Sequence, residues 1–285
     1  MWKDSTGDRI WKEIMFDLKD YDLIALDIDG TVTDSKKRVT DKTKEVLAKA
    51  ISEGKNVVLA SGRPEPGVAI IAKEIGLNEE GGYMLCYNGG RIVDCTNGNV
   101  LLSKEVENKY LKDIFAACRK YGAVALTYEG EDVISWDPED EYAQIECRIN
   151  KIGYKKIEDL ENYIKWDVPK VLIVGVHEKL VPVEKELKEK FGDELSIYFS
   201  ESYFLEVMAP GVDKAEMLSE LAKRLGSNID RVLAFGDGLN DVKMLSECGY
   251  SVCMENGCPE AKEAADFITL SNDNEGIYEF LNKYL

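Results

Sequence analysis

Histidine is nearly absent from this sequence, since His177 is the only one in 285 residues. A zinc site built on several histidines is therefore excluded within one chain, and any serine or cysteine triad would depend on this single residue. His177 precedes two charged residues after an apolar run, a pattern typical of a surface position at the end of a strand. If the chain is an enzyme, we expect carboxylates and lysines to carry the chemistry.

Long apolar runs and paired cysteines are also missing. No segment approaches the roughly 18 residues that a membrane span requires. The N-terminal segment is broken up by charges, so we expect no signal peptide. The seven cysteines are scattered without a Cys-x-x-Cys pair, which is typical of reduced thiols. We therefore predict a soluble, cytoplasmic protein.

Basic residues are in deficit, with 36 Lys and Arg against 54 Asp and Glu and a formal net charge of −18. No run of Lys or Arg forms a basic patch, so we expect no nucleic acid or membrane partner. Nothing in the sequence predicts a protein partner. The 45% hydrophobic content is enough for a sizeable core, and the length suggests about two domains at roughly 150 residues each.

Short apolar runs alternate with amphipathic stretches near both ends of the chain. Predicted strands cover 22–28, 55–60, 83–87, 231–235, 250–254 and 266–269, and predicted helices cover 41–53, 65–76, 214–225, 239–247, 259–265 and 276–284. This order predicts an α/β fold, a Rossmann-like parallel sheet with right-handed crossovers. Residues 1–20 have no place in this pattern.

The middle of the chain follows a different pattern. A hairpin at 90–104, a helix at 105–121 and further strands and helices to 208 predict an α+β block, while 137–168 gives no clear pattern. We predict a discontinuous core of residues 1–90 and 201–285 with an inserted domain at 91–200. Two crossings near 88–91 and 200–210 would join them, with Asn88-Gly89-Gly90 as a hinge or simply as a tight turn.

The first strand runs into Asp27-Ile28-Asp29-Gly30. In an open parallel sheet, ligands bind at the carboxyl ends of the strands. Two carboxylates at such an end could bind a hard divalent cation, or one could attack an electrophile while the other transfers a proton. The Asp-x-Asp pair alone is weak evidence, because it also occurs in glycosyltransferases and in solvated turns.

Two further positions suit a phosphate group. Ser61 and Gly62 follow the second strand, where a hydroxyl and a backbone N–H could hold a phosphate oxygen, although Ser61 could instead cap the next helix. Lys214 opens a helix, where its charge opposes the helix dipole. Either an anion compensates this lysine, or it is one of many surface lysines.

The segment from Gly236 to Asp241 (GDGLND) also lies between a strand and a helix. Two glycines flank Asp237, and Asp241 follows four residues later. A metal-binding turn explains this pattern better than a simple helix cap, because a cap would not require both glycines.

The four segments together, in this order, resemble the haloacid dehalogenase-like superfamily. The nearest pattern is that of its Cof-type sugar-phosphatase branch, in which a type C2 cap domain is inserted after the third strand. Tyr87-Asn88-Gly89-Gly90 and the tail from Glu255 to Ile277 extend the resemblance over nearly the whole chain from about residue 20. Gly90, Asp213 and Gly257 depart mildly from the family pattern.

The resemblance implies a Mg²⁺-dependent hydrolase of small phosphorylated metabolites. Asp27 would be the nucleophile that forms an aspartyl-phosphate, and Asp29 would be the general acid and base. The implied metal ligands are Asp27, Asp237 and the backbone carbonyl of Asp29, with Asp241 supporting the metal-bound waters. The implied phosphate-binding residues are Ile28 through its N–H, Ser61, Gly62, Lys214 and Asn240.

Two alternatives to a hydrolase remain open. A phosphomutase or other phosphotransferase would share every core motif and differ only in returning the phosphoryl group to the rearranged intermediate. A non-catalytic binding protein would be expected to have lost Asp27 or Asp29, and both are present. The inserted domain would set the substrate, and its candidate pocket residues, which could equally be packing residues, are Tyr128, Trp136, Tyr142 and Arg148.

Overall fold

The computed structural model describes residues 16–285. The first 15 residues, most of the N-terminal stretch without a family counterpart, lie outside the described residues. The strands are β1 Leu23–Leu26, β2 Asn56–Ala60, β3 Tyr83–Cys86, β4 Arg91–Asp94, β5 Val100–Ser103, β6 Val124–Glu129, β7 Asp132–Ser135, β8 Gly153–Lys156, β9 Val171–Val174, β10 Ser196–Glu201, β11 Phe204–Met208, β12 Val232–Gly236, β13 Tyr250–Cys253 and β14 Phe267–Ile268. The helices are α1 Asp41–Ser52, α2 Glu65–Ile75, α3 Leu77–Glu80, α4 Asn108–Tyr121, α5 Glu141–Asn150, α6 Leu160–Tyr163, α7 His177–Phe191, α8 Lys214–Arg224, α9 Val242–Glu247, α10 Pro259–Ala264 and α11 Gly276–Leu281.

The chain divides into two compact units. The first comprises residues 16–62, 69–101 and 213–285 and contains a sheet in the order β14-β13-β12-β1-β2-β3-β4-β5. The six strands from β14 to β3 in this order are parallel to one another. All four residues of β1 are buried, as expected for a strand covered on both faces. The predicted Rossmann-like parallel core is confirmed.

The second unit comprises residues 63–68 and 102–212 and has its own sheet, in the order β10-β11-β9-β6-β7-β8. Its strand pairs are antiparallel except for β7 and β8, which are parallel. An apolar cluster that includes Phe115, Ile173 and Leu180 forms its core. This unit therefore has the α+β character that the sequence predicts for the inserted block.

The boundaries of the units differ from the predicted 91–200. Residues 91–101 belong to the first unit, because β4 pairs with β3 and extends its sheet. At the other end, β11 pairs with β9, which keeps residues 204–208 in the second sheet. Strand pairing, which the sequence pattern does not give, decides both boundaries.

The predicted first crossing at residues 88–91 falls within the first unit, which includes Gly89. The nearest boundary between the units lies between Leu101 and Leu102. A Cβ on Gly89 would lie 2.8 Å from Met217 Cγ and 2.9 Å from the Asp213 carbonyl oxygen. Gly89 is therefore required by close packing and by a φ of +99°. A further boundary lies between Val212 and Asp213, just beyond the predicted 200–210, and the assignment of residues 63–68 to the second unit adds two more.

Helix starts account for other differences between prediction and structure. The helix predicted at 105–121 begins at Asn108, because Val106 forms a β-bridge with Val168. His177 is exposed as predicted, but it opens α7 rather than ending a strand. Within residues 16–285, none of the helices combines the length and apolar content that crossing a bilayer requires.

Candidate active site

The carboxyl ends of β1 and β12 bring two carboxylates together. The two strands pair in parallel with Leu26 opposite Phe235, so that Asp27 and Asp237 follow at the same edge of the sheet. The Asp27 N–H continues this pairing by donating to the Phe235 carbonyl at 3.0 Å. Parallel strand pairing therefore places residues that are 210 positions apart in the sequence side by side.

Lys214 lies between two of the carboxylates. Its Nζ donates to Asp27 Oδ1 and to Asp241 Oδ1, both at 2.6 Å, and the residue is only 1% exposed. Asp213 caps the N-terminus of α8 by accepting the Glu216 N–H at 2.8 Å. A lysine in the first turn opposes the helix dipole, and the two carboxylates compensate its charge. Lys214 is thus a buried site residue and not one of the surface lysines.

The loop after β12 is closed by Asp241. Its Oδ2 accepts the N–H groups of Asp237 and Gly238, both at 2.9 Å. A Cβ on Gly236 would lie 2.7 Å from the Asp241 Cβ, so a larger residue would push this carboxylate away. Both Asp241 oxygens are therefore engaged, Oδ1 with Lys214 and Oδ2 with the loop.

The turn after β1 holds Asp237 from the other side. Thr31 Oγ1 donates to Asp237 Oδ1 at 2.9 Å. Gly30 has a φ of +88°, and a Cβ there would collide with the Asp237 carboxylate. Asn256 Nδ2 donates to the Gly30 carbonyl at 2.8 Å and secures the turn. A glycine is therefore required at position 30 for two reasons: the left-handed backbone conformation and the lack of space for a side chain.

The electrostatics of the cluster are dominated by burial. Burial raises the pKa of the Asp27 carboxyl well above its usual range, and the nearby Asp241 carboxylate adds to this effect. Burial, with a smaller contribution from Asp241, raises the pKa of Asp237 to about 6. Burial acts to lower the pKa of Lys214, but Asp241 and Asp27 outweigh it and raise that pKa above its ordinary value. The cluster has a surplus of negative charge that a cation would relieve.

The residues fit a hard divalent cation. Asp27, Asp237 and Asp241 each offer a carboxylate oxygen, and these three atoms lie within 4.8 Å of one another. Oxygen donors of this kind suit Mg²⁺. Among the described residues, the Asp29 carboxylate is not part of this group. It pairs with Lys37 Nζ at 2.7 Å.

The two predicted phosphate-binding segments meet at Asn88. Asn240 Nδ2 donates to Asn88 Oδ1 at 3.2 Å, and a Cβ on Gly62 would lie 3.0 Å from the same oxygen. Ser61 is buried after β2, and its carbonyl accepts the Asn88 N–H at 2.9 Å. The helix α2 begins at Glu65, so Ser61 does not occupy its N-cap position.

Comparison with known proteins identifies the family. A family profile described as haloacid dehalogenase-like hydrolase matches residues 24–281. The chain belongs to the haloacid dehalogenase-like hydrolase family. The superfamily that the motifs indicate is confirmed, and the match includes both units of the chain.

Three relatives show how far this similarity extends. A haloacid dehalogenase-like hydrolase from Bacteroides thetaiotaomicron is 37% identical, with a TM-score of 0.89 over 93% of this chain and all of that one. A Streptococcus pyogenes serotype M6 protein named "Putative phosphatase" is 31% identical over 92% of this chain and 98% of its own length. A solved structure described as a subclass IIB sugar phosphatase, BT4131, shares the fold, with 22% identity, a TM-score of 0.75 and coverage of 92% of this chain and 98% of that one.

Most of the candidate pocket residues in the second unit of this hydrolase have packing partners. Trp136 packs edge-on against Phe115, and Tyr142 stacks on Tyr203 with ring centroids 5.5 Å apart. Tyr128 is buried and donates to Glu146 Oε1 at 2.7 Å. Arg148 is exposed. The packing alternative therefore accounts for Trp136 and Tyr142.

Four residues contact the candidate site although they are not among the predicted site residues. Asn88 links the two phosphate segments, Thr31 and Asn256 hold the Asp237 turn, and Lys37 pairs with Asp29. The Asn88 motif is visible in the sequence, and Thr31 directly follows Asp-Ile-Asp-Gly. The sequence contains no signal for Lys37, because its role depends on the path of the turn.

Proposed function

We propose that this chain is a Mg²⁺-dependent phosphatase that hydrolyses small phosphorylated metabolites, sugar phosphates foremost, through an aspartyl-phosphate on Asp27. The observation that carries the proposal is the buried contact of Lys214 Nζ, 2.6 Å from both Asp27 and Asp241, beside Asp237. A lysine and a cation-binding carboxylate group around one candidate nucleophile suit phosphoryl transfer. The names of the Streptococcus and subclass IIB relatives support the same reaction class.

Asp27 is the group that attacks phosphorus. One carboxylate oxygen forms the new P–O bond while the bond to the leaving oxygen breaks, and Asp29 gives that oxygen its proton. Asp29 then takes a proton from water, which attacks the aspartyl-phosphate and releases inorganic phosphate. Both carboxylates return to their starting state, so the cycle balances.

Positive charge must offset the repulsion between an anionic substrate and a chain with a net charge of −18. Lys214 supplies one charge at the nucleophile. Mg²⁺ held by Asp27, Asp237 and the Asp29 carbonyl would, when bound, neutralise charge on the transferring phosphoryl group. Ser61, Gly62, Asn240 and the Ile28 N–H would orient the phosphoryl oxygens by hydrogen bonds. Asp241 would keep Lys214 in place.

The second unit, residues 102–212, would serve as the cap domain that selects the organic part of the substrate. A cytoplasmic location is part of the proposal. All seven cysteines are free thiols, as expected in a reducing compartment.

The decisive variant is Asp27→Asn. It keeps the shape of the side chain but removes the attacking oxygen charge, so turnover should fall by about a thousandfold or more. The assay measures phosphate release from sugar phosphates, nucleotides and cofactor phosphates with Mg²⁺ present. Product analysis for phosphate transfer to sugars separates a phosphatase from a mutase.

Asp193→Asn is the matched control, because Asp193 is an exposed aspartate outside the site. It should retain the wild-type rate after identical purification. A rate for Asp27→Asn within about tenfold of the wild type would exclude Asp27 as the nucleophile.

A further inference from the structure

The turn that follows β1 is stabilised by a β-bridge, hydrogen bonds and an ion pair. Thr33 and Val39 form an antiparallel bridge, and residues 34–38 form the loop between them. The buried Asp34 carboxylate accepts the N–H groups of Lys36 and Arg38, both at 2.9 Å, and pairs with the Arg38 guanidinium at 2.7 Å. Contacts within the loop therefore stabilise its conformation.

Lys37 lies in this turn and contacts Asp29. Its N–H donates to the Asp34 carbonyl at 2.8 Å, and its φ of +59° lies in the left-handed region that side chains other than Asn, Asp and Gly rarely adopt. In this conformation Lys37 Nζ lies 2.7 Å from Asp29 Oδ1. An unfavourable backbone conformation thus coincides with an ion pair to the proposed acid and base.

The C-terminal segment ties the same turn down. The Asp273 carboxylate accepts the Ser35 N–H at 2.8 Å and the Ser35 hydroxyl at 2.6 Å. Asn272 Nδ2 donates to the Thr33 carbonyl at 2.8 Å, and the Asn272 N–H donates to Asn256 Oδ1 at 2.9 Å. The turn that carries Lys37 is therefore connected to Asn256, which holds the turn at Gly30.

We propose that Lys37 is a positioning residue for Asp29, which it orients for proton transfer to the leaving group. The inference rests on the proposed function, because it assumes that Asp29 is the general acid. The stability of an exposed ion pair does not explain the arrangement, since such pairs contribute little. Orienting a catalytic group before the substrate arrives, by contrast, lowers the entropic part of the barrier.

The test uses substitutions that are compatible with the left-handed backbone conformation of residue 37. Lys37→Asn removes the ammonium group, and Asn tolerates the left-handed conformation, so the turn should survive. Lys37→Arg keeps the positive charge and should restore most of the activity. Lys36→Asn is the matched control, because Lys36 is a neighbouring exposed lysine and the substitution changes the charge equally.

The readout is kcat/KM for two substrates that differ in their need for a general acid. Phenolate is a poor leaving group that gains from protonation, whereas p-nitrophenolate leaves without it. Lys37→Asn should lower kcat/KM for phenyl phosphate by about tenfold and for p-nitrophenyl phosphate by less than about threefold. A merely structural loss would reduce both values equally.

Three outcomes would overturn the inference: equal losses on both substrates, no loss on either, or the same selective loss in Lys36→Asn. Asp29→Asn is measured in parallel and separates this inference from the proposed function. If Asp29→Asn keeps wild-type rates, the proposed function itself fails. If Asp29→Asn is inactive while Lys37→Asn behaves as the wild type, only the role of Lys37 is rejected.

Discussion

At the scale of single residues, the candidate site contains buried charged side chains, and burying any one of them without a counter-charge would be unfavourable. Lys214 is buried between Asp27 and Asp241, and each partner removes the penalty of burying the other. The two carboxylates draw the lysine into the interior, and the lysine keeps them close together. Function and stability therefore depend on the same contacts.

Removing the lysine should be costly. Lys214→Met leaves two buried carboxylates without a counter-charge and should lower the free energy of unfolding by about 3 kcal/mol. Urea unfolding in the presence of chelator measures this change. Lys223→Met is the control, because Lys223 is exposed and pairs with Glu220 at the surface, so it should change stability by about 0.5 kcal/mol or less. Equal losses in both variants would contradict the role of burial.

Comparing Gly30 with Gly54 separates the effect of backbone strain from the effect of a steric clash with Asp237. Gly30 and Gly54 have nearly the same φ, +88° and +86°, but a Cβ at Gly54 meets nothing within 4 Å. Both alanine variants should lose about 1 kcal/mol of stability from the left-handed backbone. Only Gly30→Ala should also lose about a hundredfold in turnover, because its Cβ displaces Asp237. Full activity in Gly30→Ala would show that the position of Asp237 does not matter.

At the scale of elements, an ion pair joins the starts of two neighbouring strands. Asp22, just before β1, accepts hydrogen bonds from Arg231 Nε at 2.6 Å and Nη2 at 2.8 Å, and Arg231 immediately precedes β12. The Ser227 hydroxyl donates to the same carboxylate at 2.6 Å. The Arg231 guanidinium is the main cause that lowers the pKa of Asp22 to about 2, with Ser227 adding to it. The two central strands are thereby joined at the ends opposite those that precede Asp27 and Asp237.

This shift predicts a pH-dependent contribution to stability. A carboxylate whose folded pKa is lowered stabilises the fold above its unfolded pKa of about 3.9, and the contribution is lost as pH falls toward 2. Asp22→Asn should therefore cost about 1 kcal/mol at pH 7 after solvent screening. Urea unfolding at pH 7 and pH 3 should show the difference between variant and wild type shrinking in acid. A difference that is constant with pH would contradict the assignment.

At the scale of the whole molecule, the proposed dependence on Mg²⁺ follows from the charge balance. The acidic chain collects Asp27, Asp237 and Asp241 at one sheet edge, where Lys214 offsets only part of their charge. Chelation should abolish turnover, and Mg²⁺ should restore it and raise the Tm of the wild type by binding the folded state. The rise in Tm should be lost in Asp237→Asn, as differential scanning calorimetry can measure. Undiminished activity in excess chelator would exclude a cation requirement.

The sequence by itself determined the strand and helix order of the parallel core and most of its candidate site. Apolar runs predict β1, β2, β3, β12 and β13 within one or two residues, because a buried parallel strand requires continuous apolar residues. Asp27, Lys214, Asp237 and Asp241 could be selected because they directly follow strands or open helices. A local sequence pattern is sufficient to predict those features, because each depends on residues close together in the sequence.

Only the tertiary structure decided the contacts between distant segments. The hairpin at residues 91–103 belongs to the first sheet because β4 pairs with β3. The apolar periodicity of the hairpin does not predict which strand it pairs with. Lys37 reaches Asp29 because Asp34 and Asp273 fix the turn that carries it. Side-chain contacts over such separations depend on the path of the whole chain, so the sequence pattern cannot give them.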